Sequence, residues 1–248
     1  MWVAHHTKRI GRNRNTIPVP PRRMTLDIMY LAHKVNAVLD KIADQMIGSV
    51  NSASHCKIVQ DAFRPFGAKV VVALDDMVSK DMIIVTGAYA PWRHRQSIEV
   101  YLTYKPGSKR IRITKTMWNQ LRFDLSQTLQ HELVHKMQCE HIKIPSEDWE
   151  DHACKVYASN ANLPAKRNAQ KYYGDTEEID AHAHCIMMEL KYFAPRTDPI
   201  KLLQRGNRVP KKKSPTLHDY LETYDKDTSH PVIKRLLKKT VYWIEQEA

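Results

Sequence analysis

The sequence predicts an α+β fold: a small mixed or antiparallel sheet packed on two helices, with extra helices at the C-terminal end. Three observations carry this. Residues 69–113 hold short apolar or alternating runs at the strand period of two. The segments on either side repeat apolar residues at helical spacing. The tail places proline at two positions suited to the first turn of a helix. Composition agrees with a folded chain. Of 248 residues, 42% are hydrophobic, 27% are charged and only 7 are glycine, which is enough apolar content for one real core.

In chain order, residues 1–24 read as a basic extended arm, rich in arginine and ending in Pro18, Pro20 and Pro21. Thr25 is placed to cap a helix reaching about Ile47, with Ile28, Leu31, Ala32, Val35, Leu39, Ile42 and Met46 on its apolar face. Lys69–Leu74, Met82–Tyr89, Ser97–Tyr104 and Arg110–Ile113 read as three or four strands, the last two joined through a Pro106-Gly107 turn. Asp124, with Gln127 three residues on, predicts the start of a helix running to Met137. Ser146 can cap a helix containing Trp149, Ala153 and Val156. Asp175 or Thr176 can cap one reaching Phe193. Ser214-Pro215 and His230-Pro231 open two more. The expected division is arm 1–24, main domain 25–195 and a basic helical extension 196–248.

The net charge of +12 is concentrated at the two ends. Residues 1–24 carry six basic residues and no acid, and residues 196–248 carry 12 basic and 7 acidic, whereas 25–195 are nearly neutral. Residues 1–24 and 205–213 are therefore the expected contacts for nucleic acid or an acidic partner, or simply solubilising segments. No apolar run is long enough to cross a bilayer, and the first residues lack the apolar stretch of a secretory signal. Cys56, Cys139, Cys154 and Cys185 form no C-x-x-C pair, which predicts free thiols in a reducing, cytoplasmic compartment. Cys139 and Cys154 remain candidate soft metal ligands.

The chemistry lies in His131-Glu132-Leu133-Val134-His135. On a helix, positions i and i+4 share a face, so the two imidazoles can bind one metal ion. Such an ion acidifies water to a pKa near ~7, and Glu132 stands beside the first histidine to take the proton. A catalytic metal needs a third protein ligand and an open position. Candidates downstream are Glu178, Asp180, His152, His182 and His184. Glu178 has a second reading as the third residue of a capping box opened by Asp175.

H-E-L-V-H followed some forty residues later by Glu178-Ile179-Asp180-Ala181 resembles the gluzincin metallopeptidases, over about residues 97–193. It is also similar to small zinc peptidases of bacteriophage genomes. The resemblance implies a zincin-like fold, one catalytic Zn2+ held by His131, His135 and Glu178, Glu132 as general base, and a polypeptide substrate. A phage origin would add virion association. Two positions depart from the pattern: Lys136 follows the second histidine, and His182 stands where the family has an aspartate. Tyr173 and His182, with Tyr172 and His184 behind them, are candidates for the oxyanion donor or for supporting the ligands. The strand Ser97–Tyr104 reads either as an edge strand for an extended substrate, with Val100–Tyr104 nearest it, or as an ordinary core strand. Two other readings stay open. One is a nucleic-acid-associated peptidase of the Spartan or antirestriction type; the other is a structural protein that keeps a metal.

Overall fold

A computed structural model describes residues 22–90, 97–108, 110–142 and 164–247. Helix α1 (Arg22–Lys41) buries Ala32, Val35 and Leu39, the stripe the periodicity predicts. It begins three residues ahead of Thr25, which is therefore inside the helix and not its cap. It also stops short of Ile47: the backbone leaves helical geometry at Ile42 before the single turn α2 (Ala43–Met46). Gly48 follows at φ +89°, a left-handed turn that favours glycine. Helix α3 (Ser52–Phe63) was not anticipated. The Asn51 side chain caps it by accepting from Ser54 N–H at 2.7 Å, and it buries His55, Val59 and Phe63.

The sheet has three strands, β1 (Ala68–Leu74), β2 (Ile84–Tyr89) and β3 (Ile98–Tyr104), in the order β1-β3-β2. β1 runs parallel to β3 (Val70 opposite Val100) and β2 antiparallel to it (Gly87 opposite Val100). Of the two readings of Ser97–Tyr104, the edge strand is corrected and the core strand holds: β3 is central, bonded on both sides, and therefore carries the most buried residues of the three. The edge strand beside the motif helix is β2. Arg110–Ile113 is not a fourth strand. Arg110 makes one isolated bridge to Asn51, and Ile113 exchanges backbone hydrogen bonds with Gly48 and Ser49. Its alternation reflects anchoring, since Ile111 and Ile113 are buried under α1 and the sheet.

Helix α4 (Lys115–Ile142) starts nine residues before the predicted Asp124. Thr114 Oγ1 accepts from Met117 N–H at 3.2 Å, and Trp118 and Leu121 extend the buried face. Asp124 sits mid-helix, accepting instead from Gln120 at 2.8 Å. Next come α5 (Ala165–Tyr173), also unanticipated, α6 (Thr176–Phe193) and the short α7 (Pro199–Leu203). α8 (Pro215–Thr223) and α9 (Pro231–Gln246) start where proline predicts, capped by Ser214 and His230. The arm to residue 21, the expected Ser146 helix, His152 and Cys154 lie outside the described residues.

Helix α4 is a wall shared by two cores. Trp118, Leu121, Leu125, Leu129 and Leu133 pack with α1, α3 and the sheet. Val134 and Met137 pack with α6 and the C-terminal helices. α6 is buried nearly all round, with ten of its residues buried, including Asp180, His184 and Glu189. Leu217, Tyr220, Leu236 and Trp243 belong to that same core, so a boundary at residue 195 does not separate an extension from the body of the protein. No helix among the described residues is long and apolar enough to cross a membrane.

Candidate metal centre

The middle of α4 and the first turn of α6 bring three side chains together. His131 and His135 lie one turn apart on α4, and their Nε2 atoms are 3.0 Å from each other. Asp175 caps α6 by accepting from Glu177 N–H at 2.8 Å, which fixes where the helix begins. Glu178, in that first turn, reaches across to α4. Its Oε2 is 3.5 Å from His135 Nε2 and 3.6 Å from His131 Nε2. The capping-box reading of Glu178 is thereby excluded, because its carboxylate points at the histidines. These three residues form a group that can hold a metal ion. Glu178 Oε2 is a buried oxygen with no hydrogen-bond partner, which a cation would satisfy.

Burial opposes a charge on His135, yet the Glu178 carboxylate 3.5 Å away prevails and pushes it up to about 9. The same pairing holds the Glu178 carboxyl far below the usual range against its own burial. Glu132 is buried beside the group, close enough to feel its charges. Burial raises its pKa, His131 and His135 pull it down, and Glu178 pushes it up. Its carboxylate lies against β2: a Cβ on Gly87 would come 2.6 Å from Glu132 Oε1 and 2.8 Å from Thr128 Cγ2. Only a residue without a side chain fits there. Gly87→Ala is expected to displace Glu132 and Thr128 and to destabilise the fold by about 1–3 kcal/mol, read as a lower melting temperature; a variant that melts as the wild type does would mean that the two side chains yield freely.

The other candidates divide. His182, one turn after Glu178, has its Nδ1 3.8 Å from Glu178 Oε2 and 3.2 Å from the Tyr220 hydroxyl. Burial and the neighbouring His131 hold it neutral, with its pKa pushed down to about 3. Tyr173 lies tilted beside it at 5.6 Å between ring centres. Both therefore flank the group, with Tyr172 5.9 Å from His182. Asp180 points away from it: its Oδ1 is 3.3 Å from Lys239 Nζ and accepts from Trp243 Nε1 at 3.3 Å. His184 is fully buried against Trp243, 5.0 Å between ring centres. Cys139 is buried outside the group and within reach of Tyr89. Sequence reasoning missed three residues around it, two in contact with the group and one with His182. Gln138 accepts from His135, Tyr220 meets His182, and the Cys185 thiol lies 3.5 Å from His131 Nδ1. Gln138 was accessible in principle, three positions from His135 on one helix. The other two depend on how α6 and α8 pack. Compared with models of protein families, with curated proteins and with solved structures, the chain matches none.

Proposed function

We propose that this chain is a zinc-dependent peptidase of zincin-like fold, with the ligand set of the gluzincins that its motifs resemble. The observation that carries the reading is the donor triangle. A tetrahedral zinc with bonds near ~2.0–2.1 Å needs donor atoms roughly 3.3 Å apart. His131, His135 and Glu178 present theirs at 3.0, 3.5 and 3.6 Å. Two imidazoles and one carboxylate are the donors of a hydrolytic site with one position left open. A purely structural site is usually closed by four protein ligands, and it has no use for a buried Glu132 beside it.

Bound zinc supplies a polarised carbonyl and an acidified water. Glu132, wedged against Gly87, takes the water proton and returns it to the leaving amine. His182, kept neutral, and Tyr173, 5.6 Å from it between ring centres, are the candidates for donors to a developing oxyanion. β2 offers its outer edge to an extended peptide, because among the described residues it pairs only with β3. Metal analysis by mass spectrometry, together with cleavage of a fluorogenic peptide library, tests the reading. One zinc per chain without any cleavage sinks the peptidase; no stoichiometric zinc sinks the site.

The ionisation of the metal-free centre adds a prediction. His135 keeps a proton up to about pH 9 that zinc must expel, so zinc affinity should climb as pH rises toward that value. Because this pKa lies above the unfolded value of about 6.5, His135 stabilises the metal-free fold below pH ~6.5. That contribution is lost as pH rises through about 9, so the gain in melting temperature on adding zinc should grow over the same window. A zinc-induced gain that is the same at both ends of the window would contradict this.

A second reading keeps the enzyme and adds nucleic acid. Residues 199–217 carry six basic residues and no acid, and Val209, Leu202 and Leu203 anchor this segment in the core. Arg205, Arg208, Lys211 and Lys212 are exposed. Binding to duplex DNA should weaken steeply with salt. Glutamine at these four positions should flatten that dependence by roughly one slope unit for each phosphate no longer neutralised. Salt-independent binding, or no change in slope, would exclude this surface.

A further inference from the structure

A histidine that binds metal through one nitrogen is held in place through the other, which fixes both its tautomer and its ring angle. His131 and His135 turn their Nε2 atoms toward each other and toward Glu178, so the outer nitrogen of each is Nδ1. For His135 the acceptor is Gln138 Oε1 at 3.0 Å, and Gln138 Nε2 in turn donates to the Glu177 carbonyl of α6 at 3.1 Å. For His131 the partner is the Cys185 thiol, with Sγ 3.5 Å from Nδ1. Cys185 is buried, and its own backbone carbonyl accepts from Gln127 of α4 at 3.4 Å, so the contact is built into the α4–α6 packing. Glu178 and Cys185 are seven residues apart, two helical turns on one face. His182, one turn after Glu178, meets the Tyr220 hydroxyl at 3.2 Å and leaves His131 Nδ1 to the thiol.

We propose that Cys185 is a positioning residue for the metal centre, accepting from His131 Nδ1–H and so keeping His131 Nε2 free for the ion. This rests on the reading of His131, His135 and Glu178 as ligands. Helix α6 then supplies one ligand directly and orients the other two, His131 through Cys185 and His135 through Gln138. Sulfur is a weak acceptor, so His131 is held less firmly than His135.

The test uses the full chain, with zinc itself as the probe, in chelator competition. Cys185→Val keeps roughly the shape and removes the acceptor, whereas Cys185→Ser keeps an acceptor. The expected result is about 10–100-fold weaker zinc binding for the valine variant and near wild-type binding for serine. Cys185→Ala stands in if valine prevents folding. A second readout needs no metal: imidazole nitrogen chemical shifts of the metal-free protein at mildly alkaline pH. They should show His131 protonated at Nδ1 in the wild type and a mixture of tautomers in the variant. Zinc affinity within twofold of wild type together with an unchanged tautomer would overturn the proposal. A wild-type chain that binds no zinc would instead overturn the metal reading, while the tautomer measurement would still decide the role of Cys185.

Discussion

Glu132→Gln is expected to keep one zinc per chain and to slow peptide-bond cleavage by a factor of about 10²–10⁴. The expectation follows from where the carboxylate sits. It is outside the group formed by His131, His135 and Glu178, so the ion loses no ligand. It is buried against Gly87 and Thr128, so the amide, which has almost the same shape, can take its place without repacking. What the variant loses is a basic oxygen whose pKa burial and Glu178 raise and the two histidines lower. His131→Ala and Glu178→Ala should behave differently, losing the metal along with activity. Metal analysis beside cleavage rates separates the two classes. Loss of zinc from Glu132→Gln would make Glu132 a ligand, and full activity in that variant would end the peptidase reading.

The motif helix and the capping of α6 were legible in the sequence because each depends on local spacing, whereas Glu178 was singled out by the family resemblance. His131 and His135 share a face whatever surrounds them, and Asp175 caps α6 from within its own turn. What was not legible depends on partners far along the chain. Asp124 has the residues of a helix start, but Trp118 and Leu121 find core on the same face and draw the helix back to Lys115. Ser97–Tyr104 alternates as an edge strand would. Its central position follows from β1 joining it in parallel from thirty residues upstream, a pairing that periodicity does not encode. Asp180 and His184 were candidate ligands by proximity to Glu178. α6 is buried on nearly all sides, so polar residues on its other faces meet α9. Cys185 carried no signal at all, because its meaning lies in the contact with His131.

Lys239→Met is expected to destabilise the protein by about 3–5 kcal/mol, which in a chain of this size lowers the melting temperature by roughly 6–20 °C. Lys239 and Asp180 are both buried, with 6% and 8% of their side chains exposed and 3.3 Å between Nζ and Oδ1. Removing the ammonium leaves a carboxylate in the core with the Trp243 indole N–H, at 3.3 Å, as its remaining donor in that contact. The cost comes from that stranded charge more than from the pair itself. The double variant Asp180→Asn/Lys239→Met should therefore recover much of the loss, and a double-mutant cycle on thermal melts would show it. Asp180 lies two residues beyond Glu178 on α6, so the α9 pair holds the helix that presents Glu178. If residues 196–248 are part of the unit that builds the metal centre, zinc binding by Lys239→Met should weaken together with its stability. A variant that melts as the wild type does would mean that the pair contributes nothing net. A destabilised variant with wild-type zinc affinity would mean that α9 supports the core without setting the geometry of Glu178.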